Sequence, residues 1–406
     1  MSSMKIGVIR EGKMPHDRRV PFTPEQCRQI ESLFPNVSVC VQPSPWRAFT
    51  DLEYAEAGVT VQEDLSGCDV LMGVKEVPKQ DLLPGKTYFF FSHTIKKQPH
   101  NRELLQQIAG KGIRLVDYEC LIDPQGNRVI GFGRYAGIVG AYNAIMGYGL
   151  KYSLFRLKPA HECHDKKEMF AELQKANLPN IKIVVTGSGR VANGACETMG
   201  AMNLRKVTPY EYLNYTFREP VYVQLHSSDY YVARDGSPYS NQHFHQSPAD
   251  FHCTFSDDNS FASCTDLLIH CTFWDPRAEV LFSLDRMKDP DFRVSVIADV
   301  TCDMNGSVPS TQRPTTIDDK FMGYDPVSGT EIPPFEKQAI TVMAIDNLPC
   351  ELPRDASDGF GKHLIERVLP SLCSDDADGL IERGTIVKDG KLMPRFAYLA
   401  DYLDGK

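Results

Sequence analysis

The stretch IKIVVTGSGRVANGA, residues 181–195, constrains the fold more than any other part of the chain. A β-branched run followed by Gly187, Ser188, Gly189, Arg190, Val191 and Ala192 reads as a strand, a tight turn and a helix in the G-x-G-x-x-G/A arrangement. Gly187 turns the chain without a Cβ penalty, Gly189 lets the backbone approach a pyrophosphate, and Ala192 keeps the helix close to the sheet. The first N–H groups of that helix then face an anion. The pattern predicts a dinucleotide cofactor, NAD or NADP. The selector between them stays open: a short strand near LRKVTP offers Thr208 where an NAD site offers an acid, Arg205 and Lys206 could take a 2'-phosphate, Glu211 could turn back to the ribose, or all four could face water.

Around this motif run two series of short apolar segments. KIGVI, VSVCV, DVLMGV, TYFFF and IRLVD occupy the first 120 residues; IKIVV, DLLIHC, FRVSVIADV and AITVMAID follow later. Stretches of helical spacing separate them, so the expected class is α/β: two Rossmann-like, doubly wound domains with a cleft between them and C-terminal helices returning to the first. The expected boundaries are 1–140 for a substrate and catalytic domain, 141–345 for the dinucleotide-binding domain with a polar insertion near 211–262, and 346–406 for a helical segment on the first domain or the junction. FGRYAGIVGAYNAIMGYGLKYSLF is expected to be the long helix linking the two series, although its glycines weaken a helix.

With 44 Lys plus Arg against 53 Asp plus Glu, the net charge is -9 and there is no long basic tract, which argues against a nucleic-acid binder. No apolar run reaches 18 residues, so neither a membrane span nor a membrane partner is expected, and the start of the chain moves directly into a strand; the expected location is cytoplasmic. Twelve cysteines without CxxC spacing read as reduced thiols. HECH at 161–164 is not HExxH, and His243, His245, His252 and Cys253 match no zinc spacing, so no metal is assigned.

In a parallel sheet, ligands bind beyond the carboxyl ends of the strands. Lys75 and Glu76 follow DVLMGV, His93 follows YFFFS, Glu119 follows IRLVDY, and Arg19 in DRRVPFTP follows the first strand. They supply cationic anchors and candidates for proton transfer, against the plain readings of solvated lysine, helix cap or surface ion pair, with Arg18 an equal chemical candidate beside Arg19. Asp299, Asp303 and Asp346 end strands of the second series and suit either a nicotinamide site or Asx turns.

The motifs DRRVPFTP, VLMGVKEVP, FFFSHTIKKQ, IRLVDYECLIDPQGNRVIGFGRYAG, VTGSGRVANGA, VIADVTCDMNGSV and AIDNLPCELPRDAS, in this order, resemble the saccharopine dehydrogenase and lysine-ketoglutarate reductase group within the alanine dehydrogenase family, over about residues 5–400. The resemblance looks closest to the lysine-forming branch. It implies an NAD(P)-dependent oxidoreductase acting on a CH–NH bond, with L-lysine, 2-oxoglutarate and saccharopine as ligands, as a monomer or homo-oligomer. It implies Lys75 and His93 as catalytic residues, Arg19 and Arg128 as carboxylate anchors, Glu76 and Glu119 as acidic neighbours, and Asp346 beside the nicotinamide. Val191 stands where a related fungal pattern carries Cys, so that pattern's cofactor-domain disulfide is not expected. The competing readings are an alanine-dehydrogenase-like enzyme and a nucleotide-sensing protein without turnover.

Overall fold

The computed structural model describes residues 3–304 and 306–406. The chain divides into two compact units, Met1–Phe132 with Pro353–Lys406, and Gly133–Leu352.

In the first unit, β1 (Met4–Val8), α1 (Pro24–Leu33), β2 (Val37–Val41), α2 (Asp51–Glu56), β3 (Thr60–Val61), β4 (Val70–Met72), β5 (Thr87–Phe90), α3 (Pro99–Gly110) and β6 (Arg114–Asp117) follow one another along the chain, with no α-helix between β3, β4 and β5. Local signals set the helix starts. Thr23 with Gln26 and Thr50 with Glu53 form capping boxes, and Pro24 and Pro99 sit in first turns where no N–H is needed. The strands pair in parallel in the order β6-β5-β4-β1-β2-β3. The direction of winding reverses between β1 and β4, which opens a crevice at their carboxyl ends.

The second unit begins with α4 (Gly133–Lys151) and α5 (Lys166–Leu173), then β7 (Lys182–Thr186), α6 (Arg190–Ala201), β8 (Arg205–Lys206), α7 (Pro209–Asn214) and β9 (Val221–Leu225). After the hairpin of β10 (Tyr231–Ala233) and β11 (Phe251–Cys253), with α8 (Asn241–Gln246) between them, come β12 (Leu267–His270), β13 (Val296–Asp299), β14 (Met322–Asp325), β15 (Thr330–Ile332) and β16 (Ile340–Met343). The sheet order is β15-β14-β16-β13-β12-β7-β9-β8, parallel except for β14 and β15, and its reversal lies between β7 and β12. The glycines of α4 do not break it. They permit close approach: a Cβ on Gly137 would meet the Val191 carbonyl oxygen at 1.8 Å, and one on Gly194 the Arg134 carbonyl oxygen at 2.0 Å, so α4 and α6 pack backbone to backbone.

Two features differ from the sequence expectation. The region 211–262 is not only a polar insertion, because β9 inside it is a sheet strand and Phe251, Phe255 and Phe261 bury their rings in the core of the second unit. The residues after 346 are not only helical. Phe360, Leu364, Val368 and Ile381, beginning in α9 (Pro353–His363), cover one face of the first sheet, while β17 (Thr385–Lys388) extends that sheet antiparallel to β6 and β18 (Lys391–Leu392) pairs antiparallel with β17. Asp389 and Gly390, both with positive φ, form the turn between these two strands. No helix among the described residues is long and apolar enough to cross a membrane.

Candidate functional site

The sheet of the first unit brings its chemistry to one edge. β6, β5, β4 and β1 are neighbours, so the residues that follow them, Glu119, His93, Lys75 with Glu76, and the loop carrying Glu11, Asp17 and Arg19, share the carboxyl side of the sheet. His93 Nδ1 lies 2.6 Å from Glu76 Oε1, and Lys13 Nζ donates to Glu76 Oε2 at 2.8 Å. Burial alone would raise the Glu76 carboxyl, but the bonds from His93 and Lys13 outweigh it and hold the group at about 2. Glu76 is therefore an anion near neutral pH. His93 itself occupies the left-handed region at φ 53°, an uncommon conformation for a residue with a Cβ.

One buried carboxylate organises two of these segments. Asp117 Oδ2 accepts the backbone N–H of Ser92 at 2.9 Å, just before His93, and Oδ1 accepts that of Glu119 at 2.7 Å. Burial raises the Asp117 carboxyl. Glu119 also accepts a hydrogen bond from the half-exposed Arg128.

Arg19 is buried and Arg18 exposed, which separates the two chemical equals of the sequence. Arg19 Nε and Nη2 grip Asp17 at 3.0 and 2.6 Å, and its guanidinium lies 4.2 Å from the centroid of the Phe132 ring. Burial pulls Asp17 upward, yet Arg19 holds it at about 2, with the Lys75 ammonium adding to the effect. The planar guanidinium is thus fixed by a fork and a ring, an orientation suited to recognising a carboxylate.

In the second unit, Gly187 turns the chain at φ 97° after β7, and a Cβ there would lie 3.0 Å from Thr272 Oγ1. Ser188, Gly189 and Arg190 are exposed, Val191 is partly covered and Ala192 is fully buried against the sheet. A Cβ on Gly189 would meet nothing within 4 Å. Open space over the N-terminus of a 12-residue helix, at a turn needing glycine, fits the diphosphate of a dinucleotide.

The residues among which the sequence leaves the ribose selector open, Arg205, Lys206, Thr208 and Glu211, lie on β8 and at the start of α7, not on a strand beside β7. β8, with Arg205 and Lys206, is a two-residue edge strand; Thr208 caps α7 and is locked to Glu211 in a capping box. The strand beside β7 is β9, so Gln224 takes the position near the turn, its Nε2 donating to the Gly187 carbonyl oxygen at 3.0 Å and its Oε1 accepting from Lys206 at 2.8 Å.

Asp299 is buried and accepts hydrogen bonds from Thr301 at 2.6 Å and Thr311 at 2.7 Å, which favours its structural reading; Asp346 is exposed after β16. His243 bonds Asp250, and His252 lies between Glu279 and Asp257.

Sequence reasoning missed Glu11, Asp17 and Asp117 as parts of the site, although each ends or follows a strand that it recognised. It also passed over His270, a buried residue at the end of β12 that joins Thr186 Oγ1 at 2.9 Å to Ser307 Oγ at 2.6 Å.

Comparison with known proteins follows this geometry. Residues 7–139 match the family described as alanine dehydrogenase/PNT, N-terminal domain. The chain is 28% identical over 441 residues to the mitochondrial alpha-aminoadipic semialdehyde synthase of Mus musculus, covering 97% of this chain and 47% of that protein. It thus spans about half the length of that curated relative. It is 25% identical over 397 residues to the saccharopine dehydrogenase [NAD(+), L-lysine-forming] of Schizosaccharomyces pombe, covering 91% and 94% of the two chains. Among solved structures, an L-alanine dehydrogenase shares the fold at a TM-score of 0.63 and 18% identity, over 98% of this chain and all of the other. The chain is thus similar over residues 7–139 to the alanine dehydrogenase/PNT N-terminal domain family, and over most of its length to alpha-aminoadipic semialdehyde synthases and saccharopine dehydrogenases.

Proposed function

We propose that the protein is an NAD(P)-dependent oxidoreductase acting on an amino acid, and that its reaction is the reversible reductive condensation of L-lysine with 2-oxoglutarate to saccharopine. The observation that carries this reading is the gathering of Lys75, Glu76, His93 and Glu119 with a fixed Arg19 on one strand-end edge, a set able both to hold carboxylates and to move protons. Near full-length similarity to proteins named for lysine-forming saccharopine dehydrogenation supports the choice of substrates.

The ε-amine of lysine attacks the ketone carbon of 2-oxoglutarate, the carbinolamine loses water, and the resulting imine is reduced at carbon. When bound, the reduced nicotinamide supplies the hydride. Arg19, oriented by Asp17, and Arg128, held by Glu119, anchor substrate carboxylates. Glu76 keeps a proton on His93 Nδ1, leaving Nε2 for proton exchange with the reacting amine or the departing hydroxyl, while Lys75 serves the complementary proton step. Gly187 through Ala192 would hold the diphosphate of that cofactor, and Asp346 would face its nicotinamide end.

The test is a matrix of amino acids, 2-oxo acids, NADH and NADPH, followed at 340 nm with products identified by mass spectrometry. Saccharopine from lysine and 2-oxoglutarate is the expected product. Alanine from pyruvate and ammonia without saccharopine would replace this reading with an alanine-dehydrogenase-like one, and cofactor binding without turnover would leave a nucleotide sensor.

A further inference from the structure

β1 and β4 are paired through Ile9, whose N–H donates to the Met72 carbonyl oxygen at 3.0 Å. Beyond that bond the two chains part. Gly73 N–H still pairs with β5 through the Phe89 carbonyl oxygen, but the next two N–H groups, of Val74 and Lys75, find no carbonyl from β1. The Glu11 side chain takes that place: Oε1 accepts from Val74 at 2.6 Å and Oε2 from Lys75 at 2.9 Å. One carboxyl group thus collects both N–H groups of the bend that follows β4, at the point where the winding of the sheet reverses.

We propose that Glu11 is a positioning residue for Lys75, a two-pronged clamp that fixes the peptide from which the Lys75 side chain starts. This rests on the proposed role of Lys75 in proton transfer. Three observations support it. The clamped N–H belongs to Lys75 itself. The space is tight, since a Cβ on Gly73 would lie 3.3 Å from Glu11 Oε1 and 2.8 Å from Ile9, so the segment has little room to shift. The groups facing Glu11 include those of the site, Asp17 and Arg19 from its own loop and the Lys75 N–H after β4, together with the buried Tyr118 after β6. Burial and the Asp17 carboxylate push Glu11 up to about 8, so the clamp exchanges a proton within reach of neutral pH.

The experiment uses the full chain with E11A and the nearly isosteric E11Q. Amide hydrogen exchange, resolved to single residues by fragmentation mass spectrometry, is expected to accelerate at Val74 and Lys75 in E11A while the amide of Gly73, bonded to the Phe89 carbonyl of β5, keeps its protection. The chemical rate with lysine, 2-oxoglutarate and reduced cofactor is expected to fall by about 10-fold to 100-fold in E11A, the cost of a small misplacement of a reacting group, with dinucleotide affinity unchanged. E11Q retains one acceptor and should lie between. If E11A fails to fold, E11Q carries the same measurements. Unchanged exchange at Val74 and Lys75, or faster exchange with a wild-type chemical rate, would overturn the proposal. Should the unmodified protein form no saccharopine, the proposed reaction fails; the clamp is then judged by exchange together with acylation of Lys75 by an N-hydroxysuccinimide ester, and an unaltered acylation rate in both variants overturns it.

Discussion

His93 Nδ1 and Glu76 Oε1 are 2.6 Å apart, and a second bond from Lys13 keeps the Glu76 carboxyl ionised down to about pH 2. A carboxylate only accepts, so Nδ1 carries a proton and Nε2 is the ring nitrogen left for exchange. Glu76→Gln is expected to reduce the chemical rate by about 10²-fold through loss of this tautomer control, with dinucleotide affinity retained. The same variant should flatten the acid side of the stability curve. The native carboxyl titrates below its ordinary 4.5, so its contribution is present above 4.5 and is lost as pH falls toward 2. Denaturant midpoints across that window, and single-turnover kinetics, check both outcomes.

Lys75→Met and His93→Gln should each lower the chemical rate by about 10²-fold to 10⁴-fold while dinucleotide titrations stay near wild type. The cofactor turn lies in the other compact unit, so binding and proton transfer are separable by mutation. Near-wild-type single-turnover rates in both variants would remove the two-group mechanism.

The two glycines of the turn should respond differently. Gly187→Ala places a methyl group at positive φ and 3.0 Å from Thr272, so the expected result is a lower melting temperature. Gly189→Ala meets no protein atom within 4 Å and should fold normally, yet lose affinity for NADH and NADPH because its methyl group enters the diphosphate space. Calorimetry paired with cofactor titration distinguishes them, and unchanged affinity in Gly189→Ala would place the diphosphate elsewhere.

Glu11 gives a pH dependence of opposite sign to that of Glu76. Its native carboxyl is raised from 4.5 to about 8, so the folded state keeps a proton that the unfolded chain has released; stability falls as pH rises through 4.5 to 8 and levels off above. Protonation turns one oxygen into a donor and costs the clamp a prong, so activity should rise as pH passes through about 8, where the folded carboxyl releases its proton. Glu11→Gln is expected to remove both trends, which chemical denaturation and a pH–rate profile will read.

Inside the helices of the second unit, Gly137→Ala should destabilise strongly, because its Cβ would fall 1.8 Å from a backbone oxygen that cannot yield without separating α4 from α6. Gly200→Ala, at an exposed position of α6 with nothing within 4 Å, should raise stability by about 0.5–1 kcal/mol. Melting curves of the two proteins provide the comparison.

Strand identity was legible because the apolar runs are short, β-branched and punctuated; the glycine turn between β7 and α6 was legible because three small residues at fixed spacing have a steric reason. What sequence did not show was adjacency. Gln224 is a neighbour of Gly187 only because β9, and not β8, lies beside β7. Glu11 can clamp Lys75 only because β1 lies beside β4, across 63 and 64 residues of chain from the two amides it holds. The β17–β18 hairpin did carry a local sign, Asp389–Gly390 between apolar pairs, which the helical pattern around it obscured.

The first unit is sewn from two distant pieces, with β17 from the later piece laid against β6 from the earlier one. During synthesis the ribosome therefore delivers the whole second unit before the partner of β6 exists. Until then β6 is an open strand edge whose unpaired amides can recruit the wrong neighbour, and the face covered later by Phe360, Leu364 and Val368 stays wet. The continuous unit can mature early, whereas the unit carrying Lys75 and His93 must wait, so errors of birth in this protein should fall first on its discontinuous unit.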